Sequence, residues 1–141
     1  MALITDSLGK NSVGAQYKLV GGGTADVTAL GAASDDVVLC SLPGGAVITA
    51  VHTNITTLFD GTTPTLVPEV LNLDGSDLTV AIAFTAVTAT AVGTTTQVSA
   101  EDALAAPCYL TVKNTAADST VGEATVYVEY FIVGRANENA G

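Results

Sequence analysis

The residues of this chain that could carry chemistry are one histidine, two cysteines and a few short acidic clusters, and their spacing limits what they can do. A Ser-His-Asp or Cys-His relay would have to recruit His52. A zinc site would need further Cys or His ligands beside it, and Cys40 and Cys108 are the only other candidates. Neither cysteine has the CxxC spacing of a redox or zinc site. His52 therefore reads as a strand residue satisfied by a neighbour or by water. The cysteines sit in the strand-like runs Val37-Val38-Leu39-Cys40 and Pro107-Cys108-Tyr109-Leu110 and read as small buried hydrophobes. With no secretion signal, a disulfide is not expected.

Asp35-Asp36 and Asp74-Gly75-Ser76-Asp77 offer the oxygens that calcium takes. They lack the spaced carboxylates and terminal bidentate Glu of an EF-hand loop, and Asp is a favoured turn residue. Glu101 and Asp102 are adjacent and so poorly placed to flank one scissile bond, while Ser99 ahead of them reads as a helix cap. Gly21-Gly22-Gly23 has neither the GxxxxGK(S/T) nor the GxGxxG spacing of a phosphate cradle, and no amphipathic helix follows it. No catalytic residue, metal ligand or cofactor site is assigned, and the chain is not expected to be an enzyme.

Composition says what must position these residues. The 141 residues fit one domain; 48% are hydrophobic, with no Trp, three Phe and four Tyr, so the core is built from small and β-branched side chains. Threonine is abundant and charged residues are only 13%, which suits pleated sheets and leaves neutral surface for a partner. The net charge is −10, and the cations Lys10, Lys18, Lys113 and Arg135 are scattered. Binding a nucleic-acid backbone or an anionic membrane needs clustered cations, so neither is an expected partner. The N-terminus lacks the pattern of a signal peptide, and apolar stretches fall well short of the roughly 20 residues that span a bilayer. The expectation is a soluble protein made in the cytoplasm.

Residues 1 to about 15 show no clean period and read as an arm, leaving 16–141 as a single β-sandwich domain. Tyr17-Lys18-Leu19-Val20 reads as a short first strand ended by the glycine triplet, taken as a hinge or tight loop. Further strands are predicted near 24–30, 36–42, 46–58, 65–71, 77–85, 94–99, 107–113 and 123–133, divided by Pro43-Gly44-Gly45, Asp60-Gly61, Asp74-Gly75 and similar turn signals. In the last strand Ala124, Val126, Val128, Tyr130 and Ile132 share one face, and Thr125, Tyr127, Glu129 and Phe131 the other. In 46–58, Val47, Val51 and Ile55 share a face with Thr49, Thr53 and Thr57. The second faces are partly apolar, which calls for cover by another subunit. The one helix candidate is Ala100–Ala106, stopped by Pro107. About eight antiparallel strands with regular turns make an all-β, jelly-roll-like sandwich.

The stretch from Val37 to Val51, with its Pro43-Gly44-Gly45 turn, followed by Asn54-Ile55-Thr56-Thr57-Leu58-Phe59-Asp60-Gly61, resembles small virion proteins of tailed bacteriophages. These commonly show a strand, a Pro-Ala-Gly-like turn, a second strand and a Thr-x-Phe-Asp-Gly turn. The resemblance is close over about 25 residues and looser, through strand spacing, over roughly 100. It looks like a capsid decoration, or cement, protein. What it implies is a jelly-roll homotrimer on the outer surface of the virion that ties neighbouring major capsid subunits together.

The residues expected at interfaces are Leu3, Ile4 and Lys10 in the arm, Tyr17 in the first short strand, Phe59 at a rim beside the Asp60-Gly61 turn, Tyr127 and Phe131 on the second face of the last strand, and Arg135. The alternative is a fibre-like or receptor-binding virion module that stacks a host glycan on exposed aromatics among Tyr17, Tyr109, Tyr127, Tyr130, Phe59, Phe84 and Phe131.

Overall fold

Val-, Thr- and Ile-rich runs become strands, and most turns between them carry the chain across to the other sheet. The computed structural model describes residues 18–30, 36–79, 82, 84–98, 103–115 and 119–133. In chain order they form β1 (Leu19–Asp26), α1 (Val27–Leu30), β2 (Val37–Leu42), β3 (Ala46–Thr57), β4 (Thr65–Asn72), β5 (Val87–Thr88), β6 (Gly93–Val98), β7 (Cys108–Asn114) and β8 (Glu123–Ile132). Every pairing is antiparallel, in two four-stranded sheets of order β1-β8-β3-β6 and β2-β7-β4-β5. That interleaving is the jelly-roll order. The expected all-β sandwich of about eight strands is the fold.

Leu42, Ile48, Val51, Ile55, Leu66, Leu110, Val112, Val126 and Val128 fill the space between the sheets. In β8 the expected alternation holds: Ala124, Val126 and Val128 are buried and Thr125, Tyr127 and Glu129 are not. In β3 it does not. A bulge between Ile48 and Ala50 inserts a residue, so Ala46 and Ile48 point inward before it and Val51, Thr53 and Ile55 after it, leaving Val47 on the outer side.

Four other expectations are corrected. The glycine triplet lies inside β1 and is neither hinge nor loop, because two strands come too close for side chains. A Cβ on Gly23 would stand 3.0 Å from the Leu39 carbonyl oxygen of β2, and one on Gly22 would strike the β8 backbone at Val126 and Tyr127. The predicted strand 24–30 ends at Asp26, whose carboxylate accepts the Ala29 N–H at 2.8 Å and caps α1.

The described residues of 77–85 contain one bridge, Asp77 to Leu71, and no strand. The Thr115 N–H donates to the Thr65 carbonyl, so odd-numbered residues of β4 turn their backbone groups to β7 and even-numbered ones to the β5 edge. Pro68 thus meets that edge without a donor, and pairing with β5 stops at Leu66. Finally, residues 103–106 of the helix candidate are not helical. The Leu104 backbone is committed to β3 instead, donating to Ala46 and accepting from Gly45. Residues 99–102, with Ser99, Glu101 and Asp102, lie outside the described set.

Candidate interaction surfaces

The jelly roll leaves two outer sheet faces and one end of clustered loops. On the outer face of β1-β8-β3-β6, register places His52 opposite both Tyr127 and Thr96. The His52 and Tyr127 rings stack with centroids 4.6 Å apart. His52 Nδ1 hydrogen-bonds Thr96 Oγ1 at 2.8 Å, its Nε2 stands 3.5 Å from Glu129 Oε2, and Lys18 Nζ is 3.9 Å from the same carboxylate oxygen. Pairs of short polar side chains continue the pattern, Thr24 with Thr125 and Thr94 with Asn54.

Hydroxyl, imidazole and carboxylate here follow the order of an acyl-transfer relay. They lie on an open pleated face, on strands that are paired in the ladder at His52, Tyr127 and Thr96. Towards the other end of this face the surface turns apolar: Phe131 lies opposite Val47, and Val20 of the edge strand β1 is 64% exposed.

The loop end is built differently. Phe59, expected at a rim, is 3% exposed and part of the core. Its ring occupies the space that a side chain at position 122 would need, which is why Gly122 follows Val121 at φ +153. Asp60, the next residue, ties the β3–β4 loop to the β7–β8 loop. Its carboxylate accepts the Thr120 N–H at 2.6 Å, the Val121 N–H at 3.0 Å and the Thr120 hydroxyl at 2.6 Å, while the Gly61 N–H donates to Ser119 Oγ. These bonds, the Thr120 hydroxyl foremost, hold the Asp60 carboxyl down at about 2. The Phe-Asp-Gly turn is thus a fastening of two loops.

On the opposite sheet, β4 and β7 place Glu69 beside Lys113, with Nζ 2.6 Å from Oε1, and Thr111 donates to the Asp36 carboxylate at 3.4 Å. Burial, followed by the Glu69 charge, pushes the Asp36 carboxyl up; the bond to Glu69 pushes the Lys113 ammonium up. No local pattern announces this group, because it is assembled by strand register across 36 to 113.

The remaining chemical candidates are not brought together. Cys108 is buried in β7, facing inward, and Cys40 is half-buried against Gly21; both thiols are free and pushed up by burial. Asp74 accepts the Ser76 N–H at 2.9 Å, the turn role expected of it. Among the described residues no group of three or more His, Cys, Asp or Glu could hold a metal, and no helix is long and apolar enough to cross a membrane. Tyr17, Asp35, Arg135 and the arm with Leu3, Ile4 and Lys10 lie outside the described residues.

No family model matches the sequence, and no curated protein matches it. Solved structures do match in fold. A chain of the acidic stable capsid structure of Helicobacter pylori bacteriophage KHP30 superposes with a TM-score of 0.58 at 18% identity, covering 83% of this chain and 89% of that one. A chain of the capsid of Ralstonia phage GP4 gives 0.59 at 20% identity, covering 86% and 88%. At such identities the likeness is one of fold.

Proposed function

We propose that this chain is a structural virion protein that sits on the outer surface of a tailed-phage head and stabilises it by bridging major capsid subunits. The observation that carries the reading is the fold shared, over more than four-fifths of the chain, with chains of two phage capsids. The resemblance of residues 37–61 to small phage virion proteins points the same way. The protein acts by binding and not by catalysis, is made in the host cytoplasm, and contacts neither nucleic acid nor membrane.

It assembles as a homotrimer through the apolar end of the β1-β8-β3-β6 outer face, around Val20, Val47 and Phe131, while the arm, residues 1 to about 15, reaches across capsid-subunit boundaries. The physical advantage is avidity. Three weak footprints joined in one trimer bind with an effective concentration that no single footprint reaches, and each bridge opposes separation of the subunits beneath it.

Sedimentation and head-binding assays test this directly. The expected result is a trimer that cosediments with expanded heads; a stable monomer that leaves the heads unlabelled would overturn the reading. The fibre-like, glycan-binding alternative needs an aromatic ring with a free face and predicts hits on a glycan array, whereas Tyr127 gives one face to His52.

A further inference from the structure

Where Pro68 ends pairing with β5, residues 67–71 of β4 together with Asp77, Leu78, Ile82 and Phe84 line a groove of about 240 Å3. Its apolar lining comes from Val67 and Leu71 of the strand and from Leu78, Ile82 and Phe84. Two carboxylates, Glu69 and Asp77, complete the lining. Beside them stands Asp36, close enough to feel the charge of both. The one cation here is Lys113, already paired with Glu69 at 2.6 Å. Three carboxylates around one ammonium leave a surplus of two negative charges. The other cation among the described residues, Lys18, is held by Glu129 on the opposite sheet. Burial first, and then the Glu69 charge, pushes the Asp36 carboxyl up, and the bond to Glu69 does the same for the Lys113 ammonium, with the Asp36 and Asp77 charges adding to it.

A groove lined both by apolar side chains and by acidic residues selects its occupant. A purely apolar ligand would strip water from Glu69 and Asp77 and return nothing to them. An anion is repelled. A side chain with a long aliphatic stem and a cationic head satisfies both parts of the lining. Of the two that exist, arginine fits better: its planar, weakly hydrated fork pairs with carboxylates through two bonds and stacks on an aromatic face such as Phe84.

We propose that this groove binds an arginine side chain presented by a partner protein, the stem lying on Leu71, Leu78 and Phe84 and the guanidinium paired with Glu69 and Asp77. The site stands independently of the virion reading, and its test does not involve phage heads.

The test titrates acetyl-Ala-Arg-Ala-amide into the full-length, methyl-labelled protein and follows it by NMR, with acetyl-Ala-Gln-Ala-amide and acetyl-Ala-Lys-Ala-amide as controls. The arginine peptide should shift the methyl signals of Leu71, Leu78 and Ile82 saturably, with a Kd on the order of 1 mM. Binding should weaken several-fold in Asp77→Asn, and again as salt is raised. Asp77→Asn leaves intact the backbone carbonyl that accepts from Asn72, so the fold is kept. Glu69→Gln, checked for folding by its melting curve, should weaken binding as well. The proposal is overturned if the glutamine peptide gives the same shifts, if the lysine peptide binds more tightly, if shifts of the same size spread to methyls beside acidic positions away from the groove, such as Val121 near Glu123, or if none saturates.

Discussion

The loop end around Phe59 and the outer face around His52 are made from the same kinds of residue, an aromatic ring, a carboxylate and a few threonines, and use them in opposite ways. At the loop end there is no ladder. The β3–β4 and β7–β8 loops are joined by Asp60 accepting from Thr120 and Val121, and Phe59 closes the core above Gly122. Remove either and the loops are left with single bonds such as Gly61 to Ser119 and the Phe59 N–H to the Ala89 carbonyl. On the outer face, His52, Tyr127 and Thr96 meet on strands whose backbones are already paired over β3, β8 and β6. Their contacts add to a sheet that stands without them. Side chains that the fold does not require are the ones free to be selected by a partner.

That contrast can be broken by mutation, beginning where the cost is greatest. Phe59→Ala removes a core ring and should destabilise the protein by about 3–5 kcal/mol in chemical denaturation. Gly122→Ala, which drives a methyl group into that ring, should cost about 2–3 kcal/mol. A loss below about 1 kcal/mol from Phe59→Ala would mean that the ring is not part of the core.

Asp60→Asn should lower the melting temperature at neutral pH. The carboxyl stands at about 2 in the folded protein, below its ordinary value, so its contribution is complete above the ordinary range, near ~4, and is lost as pH falls through about 2. The gap between the wild-type and Asp60→Asn melting temperatures should therefore close over that window. A gap that persists at the acid end would sink the assignment.

Thr53 sharpens the comparison from inside, since its hydroxyl is buried in β3 without a hydrogen-bond partner. Thr53→Val should stabilise the fold by about 1 kcal/mol, read as a higher denaturation midpoint at unchanged slope. The smallest effects on folding belong to the outer face. His52→Ala and Tyr127→Ala should each cost no more than about 1 kcal/mol. If either instead matched Phe59→Ala in a melting experiment, the outer face would be structural and the contrast would fail.

How much of this was legible in the sequence follows from the range of each interaction. β8 could be read because inward Ala124, Val126 and Val128 alternate without interruption. β3 misled because its bulge depends on pairing with Glu129, which no local pattern records. Gly21-Gly22-Gly23 looked like a break since glycine usually is one. Only the approach of β2 and β8 explains a strand there. Pro68 was the overlooked signal against a strand at 77–85, and it is informative only once β4 is known to turn that nitrogen outward.

Phe59 beside Asp60-Gly61 is expected at a rim and lies in the core, because a Phe-Asp-Gly turn does not show that its ring faces inward. The His52–Tyr127 stack and the Asp36–Glu69–Lys113 group come from registers spanning about half the chain, beyond the reach of any sequence window.

The central claim is tested most directly by imaging virions made with and without this protein and subtracting one density from the other. The account predicts difference density on the outer surface of the head, at positions bridging neighbouring capsid subunits, with the rest of the particle unchanged. Difference density confined to the tail, or none on the head, would contradict it.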